Sequence, residues 1–186
     1  MVSPLADGRI VVLGGKTYSD AVCSGEALSP DGSVWSGFEP MPSPREEAAI
    51  ALLPTGALIV AGGCCNKPSV LGETSSCRVL SSRDSSVVVW EPGVNAWREI
   101  APMWHVRAGA AGCVLPSGRF VVLGGYSVER DPQHNVMGSH CNCQHSHAEV
   151  YDLSLDEWTP LTVPPKAMLW RSFATGAWRV VGVRGH

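Results

Sequence analysis

Long apolar runs are missing from this chain of 186 residues: none approaches the ~18 needed to cross a bilayer. Its opening residues, Met-Val-Ser-Pro-Leu-Ala-Asp-Gly, lack the apolar core of a secretory signal. Neither a membrane span nor export is expected, and the chain reads as intracellular, most simply cytoplasmic. Charge is also scarce, at 17% of residues, with a formal net charge of −3 and no basic block. That argues against nucleic acid as the main partner. Catalytic signatures are absent too. There is no Gly-x-Ser-x-Gly elbow, no phosphate loop and no His-Glu-x-x-His pair, so no enzymatic activity is expected.

What is present is punctuation. Twenty glycines and 14 prolines interrupt a chain that is 45% apolar, which suits a turn-dense β protein with a real core. The seven cysteines are odd in number and include the adjacent Cys64 and Cys65. In an intracellular setting they read as mostly reduced thiols.

The punctuation repeats. Asp7-Gly-Arg-Ile-Val-Val-Leu-Gly-Gly15, Thr55-Gly-Ala-Leu-Ile-Val-Ala-Gly-Gly63 and Ser117-Gly-Arg-Phe-Val-Val-Leu-Gly-Gly125 share a turn glycine, an apolar run and a glycine pair. A second block runs Leu28 to Trp35, Trp90 to Trp97 and Tyr151 to Trp158, with tryptophan seven residues after the first position each time. Ten residues past the first two of these tryptophans stand Arg45 and Arg107, and 17 residues past each arginine begins a glycine pair. Leu28 to Gly62 and Trp90 to Gly124 therefore both span 34 residues. Only the link from glycine pair to the next Leu, Trp or Tyr varies, at 14, 28 and 27 residues. A constant scaffold with one elastic insertion is how repeat proteins carry function.

Each unit predicts four short strands: Ala48 to Leu53 or Ala108 to Leu115, Ala57 to Ala61 or Arg119 to Leu123, Val87 to Trp90 or Ala148 to Tyr151, and a fourth around the tryptophan. One local signal disagrees. Ser43-Pro-Arg-Glu46 before an alanine-rich run has the form of a helix start. The equivalent stretch, Ala108-Gly-Ala-Ala-Gly-Cys-Val114, is a poor helix, so the shared register predicts strand in both.

A strand ending in Gly-Gly, then Tyr-Asp, then tryptophan resembles the kelch repeat. Ala148-Glu-Val-Tyr-Asp152 with Trp158, and Met41-Pro-Ser-Pro-Arg45, are especially close to that pattern. Leu28-Ser29 and Trp90-Glu91 depart from Tyr-Asp but keep bulk. The resemblance, over roughly Ala6 to Pro165, implies an all-β, partial kelch-type β-propeller of four-stranded antiparallel blades, whose ring does not close within this chain. The blades divide as an incomplete first (1–45), a second (46–107) with a long loop 64–86, a third (108–170) with a Cys/His-rich loop 126–147, and the start of a fourth (171–186), marked by Arg171, Gly176 and Gly182. A piece of a longer propeller is the favoured reading. The other is an open stack that self-associates through its exposed edges.

The resemblance also implies a protein-interaction scaffold, with a protein or peptide partner and the tasks of substrate adaptor or cytoskeletal binding. Arginines at this repeat slot, and residues just after the glycine pair, then line a face that grips acidic peptides. Carried over by position these are Arg45, Arg107, Arg171, Lys16, Cys64 and Tyr126, joined by Trp104 and His105 in the link beside Arg107. The competing role for the arginines is to bond carbonyls of neighbouring blades. Trp35, Trp97 and Trp158 share one slot and are assigned to blade packing.

No cofactor is required by this reading, though zinc or copper has one candidate home. Cys141, Cys143, His145 and His147 alternate, with His134 upstream, so an extended backbone puts four soft ligands on one side. One straight strand cannot wrap an ion tetrahedrally, and a polar loop is the simpler reading. A copper radical oxidase, of the galactose-oxidase kind, is the enzyme class to weigh. It needs tyrosines and histidines around copper, and only Tyr18, Tyr126 and Tyr151 are available.

Overall fold

The computed structural model describes residues 1–18, 20–64, 85–130, 140–144 and 148–161, with backbone alone along 127–130 and 140–144. Every regular element among them is a strand. The first sheet contains β1 (Val2–Pro4), β2 (Ile10–Leu13), β3 (Gly25–Leu28) and β4 (Trp35–Phe38) in that order. The second contains β5 (Ala49–Leu52), β6 (Leu58–Ala61), β7 (Val87–Glu91) and β8 (Ala96–Ile100). In the third, β9 (Ala111–Val114) and β10 (Phe120–Leu123) are followed by a separate hairpin of β11 (Tyr126–Arg130) and β12 (His140–Gln144). The sheet then resumes with β13 (Ala148–Asp152) and β14 (Glu157–Leu161). All pairings are antiparallel. Among the described residues no helix is long and apolar enough to cross a membrane.

The first unit, expected to be incomplete, carries all four strands, although β1 is only three residues long. The 126–147 insertion, expected as a loop, contains the β11–β12 hairpin. The fourth unit from Arg171 lies outside the described residues, as does most of the loop 64–86.

The helix-like signal at 43–46 resolves as extended structure. Glu46 forms a bridge with Cys64, Glu47 turns at φ 57°, and β5 then pairs with β6. A left-handed residue at the fourth position of a helix would break it at once. The third sheet uses Gly109, at φ 63°, for the same turn.

The three glycine pairs share one backbone geometry, though Gly15 faces open space where Gly63 and Gly125 are crowded. All six glycines have positive φ, from 56° to 105°, which residues with a β-carbon adopt at a cost. A β-carbon on Gly63 or Gly125 would also stand 2.7 Å from a backbone carbonyl, so the site excludes side chains twice over.

Stacking follows from which face each strand buries. Along β6 all four side chains are buried: Leu58 and Val60 pack toward the first sheet, Ile59 and Ala61 toward the third. One core joins Val11, Leu13, Ala27, Phe38 and Met41 to Leu58, Val60, Val88 and Trp90. The next joins Ile59, Val87, Val89, Ile100 and Met103 to Phe120, Val122, Tyr151 and Trp158. Each sheet hides its apolar surface against its neighbour, which is the energetic logic of repeat stacks.

Candidate functional site

The landmark arginines join the sheets at their inner ends. The Arg45 carbonyl accepts a hydrogen bond from the Gly15 amide (2.8 Å), and the Arg107 carbonyl accepts one from Gly63 (2.8 Å), so each ties itself to the preceding sheet. Their guanidinium groups reach into the sheet that follows each of them in sequence. Arg45 Nη1 donates to Gly62 O and Ser86 O, both at 2.9 Å, and Nη2 to Ser86 Oγ at 2.8 Å. Arg107 Nη1 donates to Gly124 O at 2.7 Å. The constant spacing of 17 residues between arginine and glycine pair is the length of this loop of bonds.

Both arginines are buried, at 4% and 1% exposure. The described bonds of the guanidinium groups run to carbonyls, to Ser86 Oγ and to the Glu149 carboxylate. By the unit bounds 1–45, 46–107 and 108–170, Arg45 and Arg107 each close one unit and bond carbonyls of the next, as the role weighed for them against partner binding requires. Arg171 lies outside the described residues.

Around Arg107 the third sheet builds an ion-pair network. Glu149, fully buried on β13, accepts from Arg107 Nε (3.1 Å) and Nη2 (2.9 Å) on one oxygen. The same oxygen accepts from the His105 amide (3.2 Å) and lies 3.1 Å from His105 Nδ1, while the other accepts from the Trp104 amide at 2.7 Å. Burial pushes the Arg107 pKa below its ordinary value, and the Glu149 carboxylate opposes that shift. Trp104 is 67% exposed but donates Nε1–H to Trp158 O at 3.0 Å, so it fastens the link to the outer strand. His105 remains half exposed at the margin of this network.

In front of the arginines lie the residues that follow the glycine pairs. Cys64 bridges Glu46 and Tyr126 bridges Ala108, the residues that follow the two landmark arginines, while Lys16, at the same slot, bridges Ala21 five residues on. Side chains then cross between units. Lys16 Nζ approaches Glu46 Oε2 at 3.9 Å, linking the first unit to the second. The Tyr126 hydroxyl donates to Glu47 Oε2, linking the third to the second, and its ring packs on buried Cys64 and Ala108. Burial, and then the neighbouring carboxylate, push the Tyr126 pKa upward, so it is a neutral donor at neutral pH. Burial, reinforced by the charge of Glu47, raises that of Glu46. Lys16, Glu47 and Tyr126 thus form one rim with a cation, an anion and a half-exposed aromatic ring, set on backbone stapled by Arg45 and Arg107. The sequence named Lys16, Cys64 and Tyr126 but missed Glu46 and Glu47. Their signal was position, one and two residues after a landmark arginine.

The tryptophan slot behaves differently in each unit. Trp158 is buried and donates Nε1–H to Ala101 O of the second sheet at 2.8 Å. Trp97, partly buried, donates to Glu39 O of the first at 3.0 Å. Trp35 is 53% exposed. Tyr151, expected to be structural, is buried and donates to Asp156 Oδ1 at 2.7 Å.

Of the candidate metal ligands, Cys141 and Cys143 fall on β12, in register with Glu129 and Ser127 of β11. His134, His145 and His147 lie outside the described residues. Among the described residues no group of three or more His, Cys, Asp or Glu side chains is arranged to hold a metal.

No protein-family profile matches the chain. Two curated proteins are similar over part of it. Human Kelch-like protein 28 is 29% identical over 119 residues, which is 63% of this chain and 19% of that protein. Kelch-like protein 36 of Bos taurus is 30% identical over 82 residues, or 44% of this chain and 11% of that protein. The chain therefore spans less than a fifth of the length of either relative.

Proposed function

We propose that the repeats are of the kelch type, stacked as the four-stranded blades of a partial propeller, and that the chain is a protein-interaction module that binds a protein or peptide segment at the rim of Lys16, Glu47 and Tyr126. The observation that carries this reading is the convergence of three repeats on one surface: residues 48 and 110 positions apart in sequence, counted from Lys16 to Cys64 and Tyr126, occupy the same slot and exchange side-chain contacts through Glu46 and Glu47.

The rim carries charge of both signs and a neutral phenol on a fixed backbone. A partner segment with its own paired charges and one apolar residue would match it, because an aromatic anchor between charged groups is the usual make-up of a binding hot spot. This departs from a purely acidic ligand, since the two arginines that would have gripped one are already engaged. Capturing a substrate for a larger assembly and attaching to a filament both use such a rim, and the chemistry argued here is common to them.

Peptide-library selection on the intact chain tests the proposal. Sequences recovered on the wild type are measured against Lys16→Glu, Glu47→Lys and Tyr126→Ala. Loss of affinity of tenfold or more in at least two variants, with unchanged circular dichroism, is expected. Binders indifferent to all three would overturn the assignment of the rim.

A further inference from the structure

The turns that join β7 to β8 and β13 to β14 are built alike. In Trp90-Glu-Pro-Gly-Val-Asn95 and Tyr151-Asp-Leu-Ser-Leu-Asp156 the sixth residue is left-handed, at φ 50° for Asn95 and 53° for Asp156. Its side chain is held by the buried aromatic that opens the block. Trp90 Nε1–H donates to Asn95 Oδ1 at 3.2 Å, and the Tyr151 hydroxyl donates to Asp156 Oδ1 at 2.7 Å. Each turn is thus clamped to its sheet. The residue before the clamp is aliphatic in both, with Val94 74% exposed and Leu155 65%. Turns favour glycine and short polar residues, so an aliphatic side chain at this slot in two successive units does nothing for the turn itself. The second sheet packs against a described sheet on either side, so Val94 is not exposed for want of a neighbour.

Beside these turns a cleft of about 240 Å³ opens between the second and third sheets, lined by Gly93 from one turn and Leu153 from the other. Buried Leu53, Ala57, Val89 and Tyr151 form its apolar floor. Volume decides what it can take. Sites for drug-sized ligands run from about 300 to 1,000 Å³, so this one suits a single side chain of leucine or phenylalanine size. Its edge is charged. Glu91 accepts from Arg98 Nε at 2.8 Å, and both side chains stay open to solvent. The charge of Arg98 also reaches Asp156, whose carboxyl is held below its ordinary range by the Tyr151 hydroxyl, the Ala101 amide and then that cation. One cation serves two carboxylates here, which leaves the edge with surplus negative charge.

We propose that this cleft is a docking site for a protein segment that inserts one apolar side chain next to a lysine or arginine. The apolar side chain fills the cleft, Val94 and Leu155 add apolar area beside it, and the basic residue meets the carboxylates of Glu91 and Asp156. Burial of the apolar group supplies most of the binding, while the charge selects which segments bind. The clamped turns keep the ordering cost low, because the surface is in place before the partner arrives. The cleft lies at the Thr55-Gly56 end of β6, whereas the rim follows the other end of that strand, after Gly63. The two sites are separate, and the inference does not depend on the rim.

Amide chemical shifts of the full chain decide it, with two capped tetrapeptides as probes, glycyl-leucyl-lysyl-glycine and glycyl-leucyl-glutamyl-glycine, titrated to millimolar concentration. The lysine peptide should give saturable shifts at Val89, Gly93 and Leu153, and none at Cys64 or Tyr126. The glutamate peptide should bind about fivefold more weakly, the upper range for a partly exposed charge contact. Glu91→Gln, at the open edge, should remove that preference with an unchanged far-ultraviolet spectrum. A lysine peptide with glycine in place of leucine should give no shifts. Absence of saturable shifts at the cleft overturns the proposal, as does equal binding of the lysine and glutamate peptides. Undiminished binding of the peptide without leucine would also overturn it, by showing that nothing apolar enters the cleft.

Discussion

The pockets of Arg45 and Arg107 solve one structural problem with different chemistry. Both guanidinium groups bond the carbonyl of a glycine pair, and both residues lend a backbone carbonyl to the preceding sheet. In the second sheet the guanidinium is completed by Ser86, through carbonyl and hydroxyl, and the β7 position equivalent to Glu149 holds Val88. In the third, Glu149 fills that position and draws in the amides of Trp104 and His105 as well. The repeat fixes the geometry of the arginine, while the way its charge is met varies. The third sheet has more to lose, because its lock includes a carboxylate that cannot remain buried alone.

The largest expected effect follows directly. Arg107→Ala leaves Glu149 buried without its cation and should cost about 3–5 kcal/mol, read as a lowered denaturation midpoint. Arg107→Met combined with Glu149→Val, which imitates the valine of the second sheet, should recover a large part of that loss. If the double variant is as unstable as Arg107→Ala, the cost does not come from an uncompensated charge.

The tryptophan slot gives the next contrast. Trp158→Ala should cost about 3–5 kcal/mol, as removal of a buried aromatic from a core does. Trp35→Ala should stay within about 0.5 kcal/mol, as an exposed substitution does. Equal losses at the two positions would mean that Trp35 is packed.

Arg45→Met sharpens the first comparison at smaller scale. Ser86 and Gly62 lose a donor, but no buried Glu149-like partner is abandoned, so a loss of about 1–3 kcal/mol is expected. A penalty as large as that of Arg107→Ala would erase the distinction between the pockets.

The smallest effect is a matter of pH. Glu46 has a folded-state pKa raised by burial and by Glu47, so its ionisation opposes folding. That cost is absent below the ordinary value of 4.5, grows as pH rises through it, and is complete above the raised folded pKa. Glu46→Gln should therefore match the wild type in acid and gain on it toward neutrality. A difference in melting temperature that does not change with pH would refute the assignment.

Strand positions were largely legible because glycine pairs, turn glycines and tryptophans keep register over 34 residues, and register outweighed the helix signal at Ser43-Pro-Arg-Glu46. The direction of the arginines was not legible. Whether a guanidinium faces a partner or a carbonyl depends on the positive-φ turn of the glycine pair, which aims Gly62 O and Gly124 O inward. The Glu149 network was hidden for a similar reason, since its members come from the link at 104–107 and from β13, some 42 residues on.

The central claim, that each arginine fastens its sheet to the one before through its own carbonyl, is tested most directly by native-state amide exchange at Gly15 and Gly63. The account predicts slow exchange at both. Arg107→Met with Glu149→Val leaves the carbonyl of residue 107 in place, so Gly63 should keep its protection there, as should Gly15. Exchange of either amide at the rate of an open loop in the wild type would contradict the claim.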